Sequence, residues 1–297
     1  MRALSGLVIT LRPHQWTKNS VLFAGLIFAG GLADSRLVLL AVAGATVFCL
    51  LSGAVYVLND IVDLEKDRRH PEKRRRPLAS GALPVGLAAT VAVLFASVAA
   101  IWSYSIHPTF GHTSVGFLAL NILYSLVLRR MVILDVVAIA VGFVLRAVAS
   151  VEVLRVAAPA TELSPWLLVC TFFLALFLGL GKRRAEVITL GEVAGKHRAT
   201  LEHYPPDLVN SLIGVVTAST IVSYAIYTIW PGTVEKVGSA GLVYTVPFVV
   251  YGLFRYLYLM FAGGGGGKPS RVLVTDVPLV VNIILWVAVV IWVLYSS

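Results

Sequence analysis

Long apolar stretches are the feature that most constrains how this chain can fold. A helix needs about 20 mostly apolar residues to cross the hydrocarbon core of a bilayer. Two of the apolar stretches, residues 19–33 and 113–128, are short enough to tilt or to re-enter the membrane from one side. The sequence therefore predicts an all-α, polytopic membrane helical bundle of about nine transmembrane helices. We place these helices over residues 19–33, 36–58, 85–106, 113–128, 132–152, 164–181, 208–230, 241–261 and 276–296.

The composition excludes the soluble alternatives. Of the 297 residues, 58% are hydrophobic and 13% are charged, and the mean hydropathy is +0.88. Soluble domains carry about 25% charged residues, so a soluble enzyme, a disordered chain and a disulfide scaffold are all excluded. No stretch is left for a separate soluble domain. We therefore expect residues 1–297 to form one integral-membrane domain, with residues 1–18 as a cytoplasmic interfacial segment.

Basic residues are distributed unevenly between the two sides that nine crossings define. One side, which comprises the N-terminal segment and the loops after the second, fourth, sixth and eighth predicted helices, holds 20 of the 24 Lys and Arg residues when Arg255 of the eighth helix is counted with it. Arg36, Arg155 and Lys236 lie on the opposite side, and Arg146 lies within a helix. The positive-inside rule then places the N-terminus and the basic loops in the cytoplasm. We expect a multi-pass protein of the inner (plasma) membrane whose active site faces the cytoplasm.

Three aspartates lie close together at the end of the second predicted helix. On one continuous helix, Asp60, Asp63 and Asp67 fall within an arc of about 60°. Carboxylates this close repel one another unless a hard cation lies between them, and Mg²⁺ prefers oxygen ligands and often bridges to substrate phosphates. A solvated helix end with scattered charge is the alternative, but a basic stretch suited to anions follows directly. We predict that the three aspartates are catalytic and bind Mg²⁺, with Asn59 beside them.

This motif and its surroundings resemble those of the UbiA superfamily of intramembrane prenyltransferases. The pattern NDxxDxxxD followed by HPxKxxRP carries the resemblance to the superfamily, and it implies a UbiA-like bundle and a catalytic domain. Further segments resemble one branch, the decaprenyl-phosphate phosphoribosyltransferases (decaprenylphosphoryl-5-phosphoribose synthases) of actinobacterial cell-wall synthesis. They are Arg12-Pro13-His14-Gln15-Trp16-Thr17-Lys18-Asn19, Tyr124-Ser125 leading to Arg129-Arg130 and Asp135, and Gly181-Lys182-Arg183-Arg184-Ala185-Glu186.

The loop after the sixth predicted helix departs from the superfamily pattern. Typical members carry a second aspartate-rich motif there, which helps to bind a prenyl diphosphate. Here three cations follow Gly181, and Glu186 is the first carboxylate. This exchange favours a phosphate ligand over a second metal ion, although Lys182 and Glu186 share a helix face and a surface ion pair is the alternative.

The resemblance and this basic loop together predict a reaction. The protein is expected to transfer 5-phosphoribosyl from phosphoribosyl diphosphate to a long-chain polyprenyl (decaprenyl) phosphate, releasing pyrophosphate, for cell-wall arabinan (arabinogalactan) precursor synthesis. Mg²⁺ is the expected cofactor, the lipid bilayer is a partner, nucleic acid is not, and a homo-oligomer is left open. The alternative is a Mg²⁺-dependent prenyltransferase that moves a prenyl group from a prenyl diphosphate to an aromatic or other small acceptor. A transporter is disfavoured because the ionisable groups gather at helix ends rather than at the bilayer midplane.

A further set of residues is predicted to bind substrate phosphates. Most are basic and lie at cytoplasmic helix ends, and Arg in particular binds phosphate through paired hydrogen bonds. Arg146 is the exception in position, because an arginine inside a membrane helix faces the bundle interior, where it contacts either a phosphate or an internal polar partner. The set comprises Lys18, Lys73, Arg76, Tyr124, Arg129, Arg130, Arg146, Lys182, Arg183, Glu186 and Arg198.

Overall fold

The structure is a computed structural model that describes residues 2–159, 161, 164–190, 203–262, 272 and 275–295. Within these residues the chain is helical and contains no strand, as the sequence predicts. The α-helices, numbered in chain order, are α1 (Arg2–Leu11), α2 (Ala24–Phe28), α3 (Ser35–Val62), α4 (Leu64–Arg69), α5 (Val85–Ile106), α6 (Pro108–Leu126), α7 (Leu134–Glu152), α8 (Pro165–Leu190), α9 (Pro206–Ile229), α10 (Pro231–Val237), α11 (Val246–Ala262) and α12 (Val277–Tyr295). Short 3₁₀ helices cover Pro13–Phe23, Gly31–Ala33, Lys73–Arg75, Leu128–Arg130 and Gly241–Thr245.

Seven helical stretches among the described residues are long and apolar enough to span a membrane. They are α3, α5, α7, most of α8, α9, α11 with the 3₁₀ helix before it, and α12. Many apolar side chains on these helices are exposed, among them Leu94 and Ile101 on α5, as expected of surfaces that contact lipid. The chain is therefore a multi-pass membrane protein, and the predicted count of nine helices is approximate.

Local sequence signals fix several helix ends. The side chain of Asp34 caps α3 by accepting hydrogen bonds from the backbone N–H groups of Arg36 (2.8 Å) and Leu37 (3.4 Å). Proline occupies the first position of α6 and of α9, where its missing N–H has no helical partner to lose. Asp276 caps α12 through the N–H of Leu279 at 3.0 Å.

The chain forms two compact units, and the first comprises residues 1–128 and 145–162. Its core lies around α3, where Phe48 contacts Phe110 and Phe117 with ring centroids 6.2 and 4.9 Å away. Helices α5 and α6 and the first 3₁₀ helix pack against α3. This packing holds the carboxyl end of α3, with its aspartates, close to the N-terminal segment.

The predicted helix over residues 19–33 takes a different form in this unit. A 3₁₀ helix and the short α2 replace one regular α-helix, and they run antiparallel to α3. Arg12 contacts Asp60 near the end of α3, Asn19 contacts Ser52 in its middle, and Gly31 lies beside Leu37 near its start. The segment therefore extends along almost the full length of α3.

The second unit comprises residues 129–144 and 163–297. Helices α8 and α9 pack together in this unit, as do α11 and α12. Its core includes Leu180, Ile213 and Leu253, and the ring of Phe177 lies 5.3 Å from that of Tyr256. The first half of α7 belongs to this unit and contributes Val136 to the core.

Candidate active site

The predicted aspartates lie where α3 gives way to α4. The spacing predicts one continuous helix through the three aspartates, but α3 ends at Val62 and Asp63 is the junction residue, with φ −93° and ψ 4°. Backbone hydrogen bonds nevertheless continue across the junction, from Asp63 N–H to Asn59 O (3.0 Å) and from Asp67 N–H to Asp63 O (2.8 Å). Because this turn is retained, Asp60 and Asp67 stay close, and each is only 4% exposed.

One guanidinium group joins the two buried carboxylates. Nη1 of Arg76 donates to Oδ1 of Asp60 at 3.1 Å and to Oδ2 of Asp67 at 2.6 Å. Arg76 follows the 3₁₀ helix Lys73–Arg75 in an extended conformation (φ −61°, ψ 144°), as expected of a residue that precedes proline. The basic stretch after the aspartates thus folds back onto them, and its last arginine is the residue that makes the contact.

A second arginine reaches the same aspartate from the N-terminal segment. Nη2 of Arg12 lies 2.5 Å from Oδ1 of Asp60, and its guanidinium carbon lies 5.2 Å from the ring centroid of Tyr56. Arg12 connects α1 to the following 3₁₀ helix in the left-handed conformation, with φ 52°, which is uncommon for a residue with a side chain. Sequence reasoning did not select Arg12 as a site residue, although the resemblance segment begins with it.

A cavity of about 290 Å³ adjoins these groups. This volume lies just below the usual range of ligand pockets, which is about 300–1,000 Å³. Three charged side chains of the site open onto it, so the cavity combines one carboxylate with two guanidinium groups. Its lining comprises Ile9, Thr10, Arg12, His14, Asp60, Arg76 and Pro77.

The donor set suits a hard divalent cation. Asp60 and Asp67 offer carboxylate oxygens, the ligand type that Mg²⁺ prefers, and a cationic nitrogen already lies between them. The structure does not gather all three predicted aspartates around one point: within the described residues, no group of three or more His, Cys, Asp or Glu side chains is arranged to hold a metal ion. Asp60 and Asp67 therefore fit a metal site as a pair, while Asp63 lies half-buried at the helix junction.

Arg146 has an internal polar partner in the first unit. Its Nε donates to Oδ1 of Asn19 at 2.9 Å, and its guanidinium carbon lies 4.5 Å from the ring centroid of Phe117. Nδ2 of Asn19 in turn donates to Sγ of Cys49 (3.4 Å) and Oγ of Ser52 (3.5 Å). Two alternatives were predicted for Arg146, a phosphate contact and an internal polar partner. The structure shows an internal partner, Asn19, and the Arg146 side chain is 8% exposed.

In the second unit, the basic segment 182–184 is helical, which corrects the predicted helix end at residue 181. Helix α8 continues to Leu190, because Lys, Arg, Ala and Glu are all good helix formers although they end the apolar stretch. Lys182 forms the expected i,i+4 ion pair with Glu186 at 3.8 Å, and its side chain is 54% exposed.

Arg183 lies inside a buried ionic network. Its Nε donates to Oδ2 of Asp135 at 2.9 Å and its Nη1 to Oε2 of Glu186 at 2.5 Å, and it is 2% exposed. The hydroxyl of Tyr204 donates to Oδ1 of Asp135 at 2.6 Å and accepts the N–H of Ile133 at 2.7 Å. Burial and the hydrogen bond to Asp135 raise the pKa of the Tyr204 hydroxyl well above its usual range. This placement argues against direct phosphate binding by Arg183, because two carboxylates already compensate its charge.

The remaining predicted phosphate ligands are distributed over both units. Lys18, Lys73 and Arg130 are exposed, and Tyr124 and Arg129 are half-buried. Arg198 lies outside the described residues. Their roles stay predictions.

Comparison with curated proteins finds close relatives of near-equal length. A decaprenyl-phosphate phosphoribosyltransferase of Corynebacterium glutamicum is 33% identical over 98% of this chain and 87% of its own length. The protein of that name from Mycobacterium tuberculosis is 29% identical over 97% of this chain and 93% of its own length. The similarity is therefore not confined to the aspartate motif.

Solved structures share the fold. A UbiA homolog from Archaeoglobus fulgidus bound to GPP and Mg²⁺ gives a TM-score of 0.73 at 18% identity, covering 97% of this chain and 99% of that one. The same homolog bound to Cd²⁺ gives 0.70 over the same shares of both chains, also at 18% identity. The sequence profile of the UbiA prenyltransferase family matches residues 20–272. The chain belongs to the UbiA prenyltransferase family.

Proposed function

We propose that this protein transfers a 5-phosphoribosyl group from phosphoribosyl diphosphate to a polyprenyl phosphate and releases pyrophosphate. The observation that carries the chemistry is the pair of buried carboxylates, Asp60 and Asp67, beside a cavity lined by two guanidinium groups. The substrate class follows from the relatives named decaprenyl-phosphate phosphoribosyltransferase. The product would be a precursor of cell-wall arabinan.

In the proposed mechanism, the aspartates bind the metal ion and the arginines at the cavity bind phosphate. Asp60 and Asp67 would hold Mg²⁺, with Asp63 and Asn59 as the further predicted ligands. Mg²⁺, when bound, supplies Lewis-acid stabilisation of the charge that develops on the departing pyrophosphate. Arg12 and Arg76 bind phosphate oxygens at the cavity, since a guanidinium pairs with phosphate through two parallel hydrogen bonds.

The acceptor needs little activation by the protein. A polyprenyl phosphate is already an anion, so its oxygen attacks the anomeric carbon without a strong general base. Displacement from the face opposite the pyrophosphate inverts that carbon and converts an α donor into a β-linked lipid. An aromatic-carbon acceptor, in contrast, requires removal of a ring proton after attack.

The exposed basic residues are proposed to contact the remaining phosphates. Lys73 follows the aspartates directly, and Lys182 is the exposed cation of the α8 segment. Arg183 orients this segment rather than binding phosphate itself. Lys18, Tyr124, Arg129, Arg130 and Arg198 are further proposed contacts. Arg146 would reach a phosphate in addition to its buried partner Asn19, and Glu186 would support Lys182.

A membrane location follows from the acceptor. Burial of each CH₂ group of its tail is favourable by about 0.8 kcal/mol, so a long isoprenoid tail stays in the bilayer while the polar donor arrives from water. We propose that the whole chain is one catalytic domain of the inner membrane, with residues 1–18 at the cytoplasmic interface and the site on that side. The support is that nine crossings would put 20 of the 24 Lys and Arg residues on the side of the N-terminus. A homo-oligomer is compatible with this arrangement.

One observation favours a second candidate. The Archaeoglobus fulgidus homolog is bound to GPP in one structure and to DMAPP in another. Prenyl transfer from a prenyl diphosphate to a small acceptor is therefore the alternative. The basic segment of α8 weighs against it, because cations stand where the superfamily pattern has a second set of aspartates.

A competition between substrates tests the proposal. Purified protein in lipid nanodiscs receives Mg²⁺ with either phosphoribosyl diphosphate and decaprenyl phosphate, or a prenyl diphosphate and an aromatic acid. Pyrophosphate release and the mass of the lipid product are measured, and the anomeric configuration is determined by NMR. Turnover with the second pair alone would overturn the proposed function, and an α-linked product would overturn the direct displacement.

A further inference from the structure

The contact between Arg76 and the two aspartates bears on how a cation enters this site. Asp60 and Asp67 are nearly inaccessible to water, and their carboxylates share one nitrogen, Nη1 of Arg76. Two buried negative charges at this separation need a counter-ion to be stable. In the structure, the guanidinium group of Arg76 is that counter-ion.

A divalent cation and this nitrogen compete for the same oxygens. Mg²⁺ binds carboxylate oxygens at about 2.0–2.1 Å, whereas Nη1 lies 3.1 Å from Oδ1 of Asp60 and 2.6 Å from Oδ2 of Asp67. A metal ion between these two oxygens would take the place that the nitrogen holds. The metal ion and the guanidinium of Arg76 are both positively charged, so they would also repel each other beside the same oxygens.

Arg76 is the partner that is free to leave. Its side chain is 31% exposed and lines the cavity, while the side chains of Asp60 and Asp67 are 4% and 5% exposed. It lies in an extended segment after a three-residue 3₁₀ helix, so a change of its rotamer breaks no helical hydrogen bond. The aspartates, in contrast, are held by the last turn of α3 and by α4.

Arg12 provides a contrast at the same site. It contacts Asp60 but has no contact with Asp67 among the described hydrogen bonds, and its guanidinium also lies against the ring of Tyr56. Its backbone conformation, with φ 52°, directs the side chain from the turn that joins α1 to the 3₁₀ helix. Arg12 therefore compensates Asp60 alone, whereas Arg76 is the residue that joins the two carboxylates.

We propose that Arg76 is an exchangeable counter-ion: it neutralises Asp60 and Asp67 in the metal-free protein, and a divalent cation displaces its guanidinium into the cavity, where it binds phosphate oxygens. This inference rests on the cation requirement of the proposed function. It gives the site an order of events, because the arginine becomes available to the donor only after the cation has entered.

The proposal predicts that Arg76 weakens cation binding in the absence of substrate. If the paired state accounts for about 90% of the metal-free protein, the apparent dissociation constant is about tenfold higher than that of the open site. Arg76→Gln should therefore tighten the binding of Mn²⁺ alone by about tenfold. Binding is measured on the full chain in nanodiscs by the electron paramagnetic resonance signal of free Mn²⁺.

Arg75→Gln is the matched control. It removes the same charge from the neighbouring position, and Arg75 is exposed on the 3₁₀ helix Lys73–Arg75. An equal gain in both variants would mean that long-range charge alone sets the affinity, and this would overturn the proposal. Unchanged or weaker Mn²⁺ binding in Arg76→Gln would overturn it as well.

A second measurement needs no substitution and so does not depend on the folding of a variant. Phenylglyoxal modifies accessible guanidinium groups, and mass spectrometry gives the modification rate of Arg76 relative to that of Arg75. Addition of Mn²⁺ should raise this ratio, and pyrophosphate added after Mn²⁺ should lower it again. A ratio that Mn²⁺ leaves unchanged or lowers would contradict the displacement.

Both measurements use Mn²⁺ without donor or acceptor. They therefore separate this inference from the proposed function: the cation can displace Arg76 in a protein that fails to transfer phosphoribosyl, and a protein that transfers it can leave Arg76 in place.

Discussion

Arg183 and Asp135 form an ion pair whose side chains are 2% and 0% exposed, with Nε 2.9 Å from Oδ2. The two residues lie 48 positions apart in the sequence and connect α8 to the first turn of α7. Glu186, one turn along α8, accepts a second hydrogen bond from the same guanidinium. The pair therefore anchors the basic end of α8, on which the exposed Lys182 lies.

Removal of one partner of this pair should be strongly destabilising. Asp135→Ala leaves a buried guanidinium with one of its two carboxylates missing, and loss of one partner of a buried pair costs about 3–5 kcal/mol. We expect this loss in the apparent free energy of unfolding, measured by denaturant titration of the purified protein. A loss below about 1 kcal/mol, the range of exposed pairs, would show that the pair is not a structural anchor.

The pair Arg68–Glu65 is the matched control for burial. It is also an arginine–carboxylate contact, at 2.8 Å, but its side chains are 49% and 69% exposed. Glu65→Ala should change the free energy of unfolding by about 0.2–1 kcal/mol or less.

The Tyr204 hydroxyl should stabilise the same network. Tyr204→Phe removes the donor to Asp135 and the acceptor of the Ile133 N–H, and the loss of a partner by a buried polar group costs about 1–3 kcal/mol. Ile133 has φ 68°, an unfavourable conformation for a β-branched residue, so this hydrogen bond also helps to hold a strained turn. Denaturant titration checks the loss, and an unchanged midpoint would contradict it.

Stability at acid pH should depend on the ion pair between Arg255 and Asp276. Hydrogen bonds from Arg255, at 3.1 and 2.8 Å, lower the pKa of the Asp276 carboxyl below its ordinary value. Because the folded-state pKa is the lower one, this contribution is complete above the ordinary aspartate pKa and disappears as the pH falls through the folded-state value. Asp276→Asn should therefore flatten the decline of the melting temperature below about pH 4. An identical decline in both proteins would contradict the assignment.

Much of the fold is readable from the sequence because apolar length and charge end a membrane helix. The prediction of 85–106 matches α5 at both ends, and 132–152 differs from α7 by two residues at its start. The first predicted helix failed in its type, because hydropathy records how apolar a segment is but does not distinguish a 3₁₀ helix from an α-helix. The end of α8 was missed because apolar length stops at residue 181 while helix propensity does not.

The candidate site, like the fold, was predicted only in part from the sequence. Spacing alone brought Asp60 and Asp67 to one side of a helix, and the structure keeps them together. The contact of Arg12 with Asp60 was not predicted, because the two residues are 48 positions apart in the sequence and periodicity along one helix carries no information about a neighbouring segment. Arg183 was predicted to bind phosphate because its charge is visible in the sequence. Of its two carboxylate partners, Glu186 follows three residues later, but Asp135 is on another helix and could not be inferred from the spacing.

Substitution of the aspartates tests the centre of the proposed mechanism. Asp60→Ala and Asp63→Ala should each lower phosphoribosyl transfer by about 100-fold or more, the scale of losing a group that stabilises developing charge. Both variants should remain foldable, and Glu65→Ala, in the same acidic segment but exposed, should retain activity. Pyrophosphate release and circular dichroism are measured on each variant. The comparison of Asp60 with Asp63 is informative because Arg76 joins Asp60 to Asp67, whereas Asp63 lies at the helix junction. If Asp60→Ala is inactive and Asp63→Ala is fully active, the cation is held by the pair alone, whereas full activity of Asp60→Ala would refute the metal role of this motif.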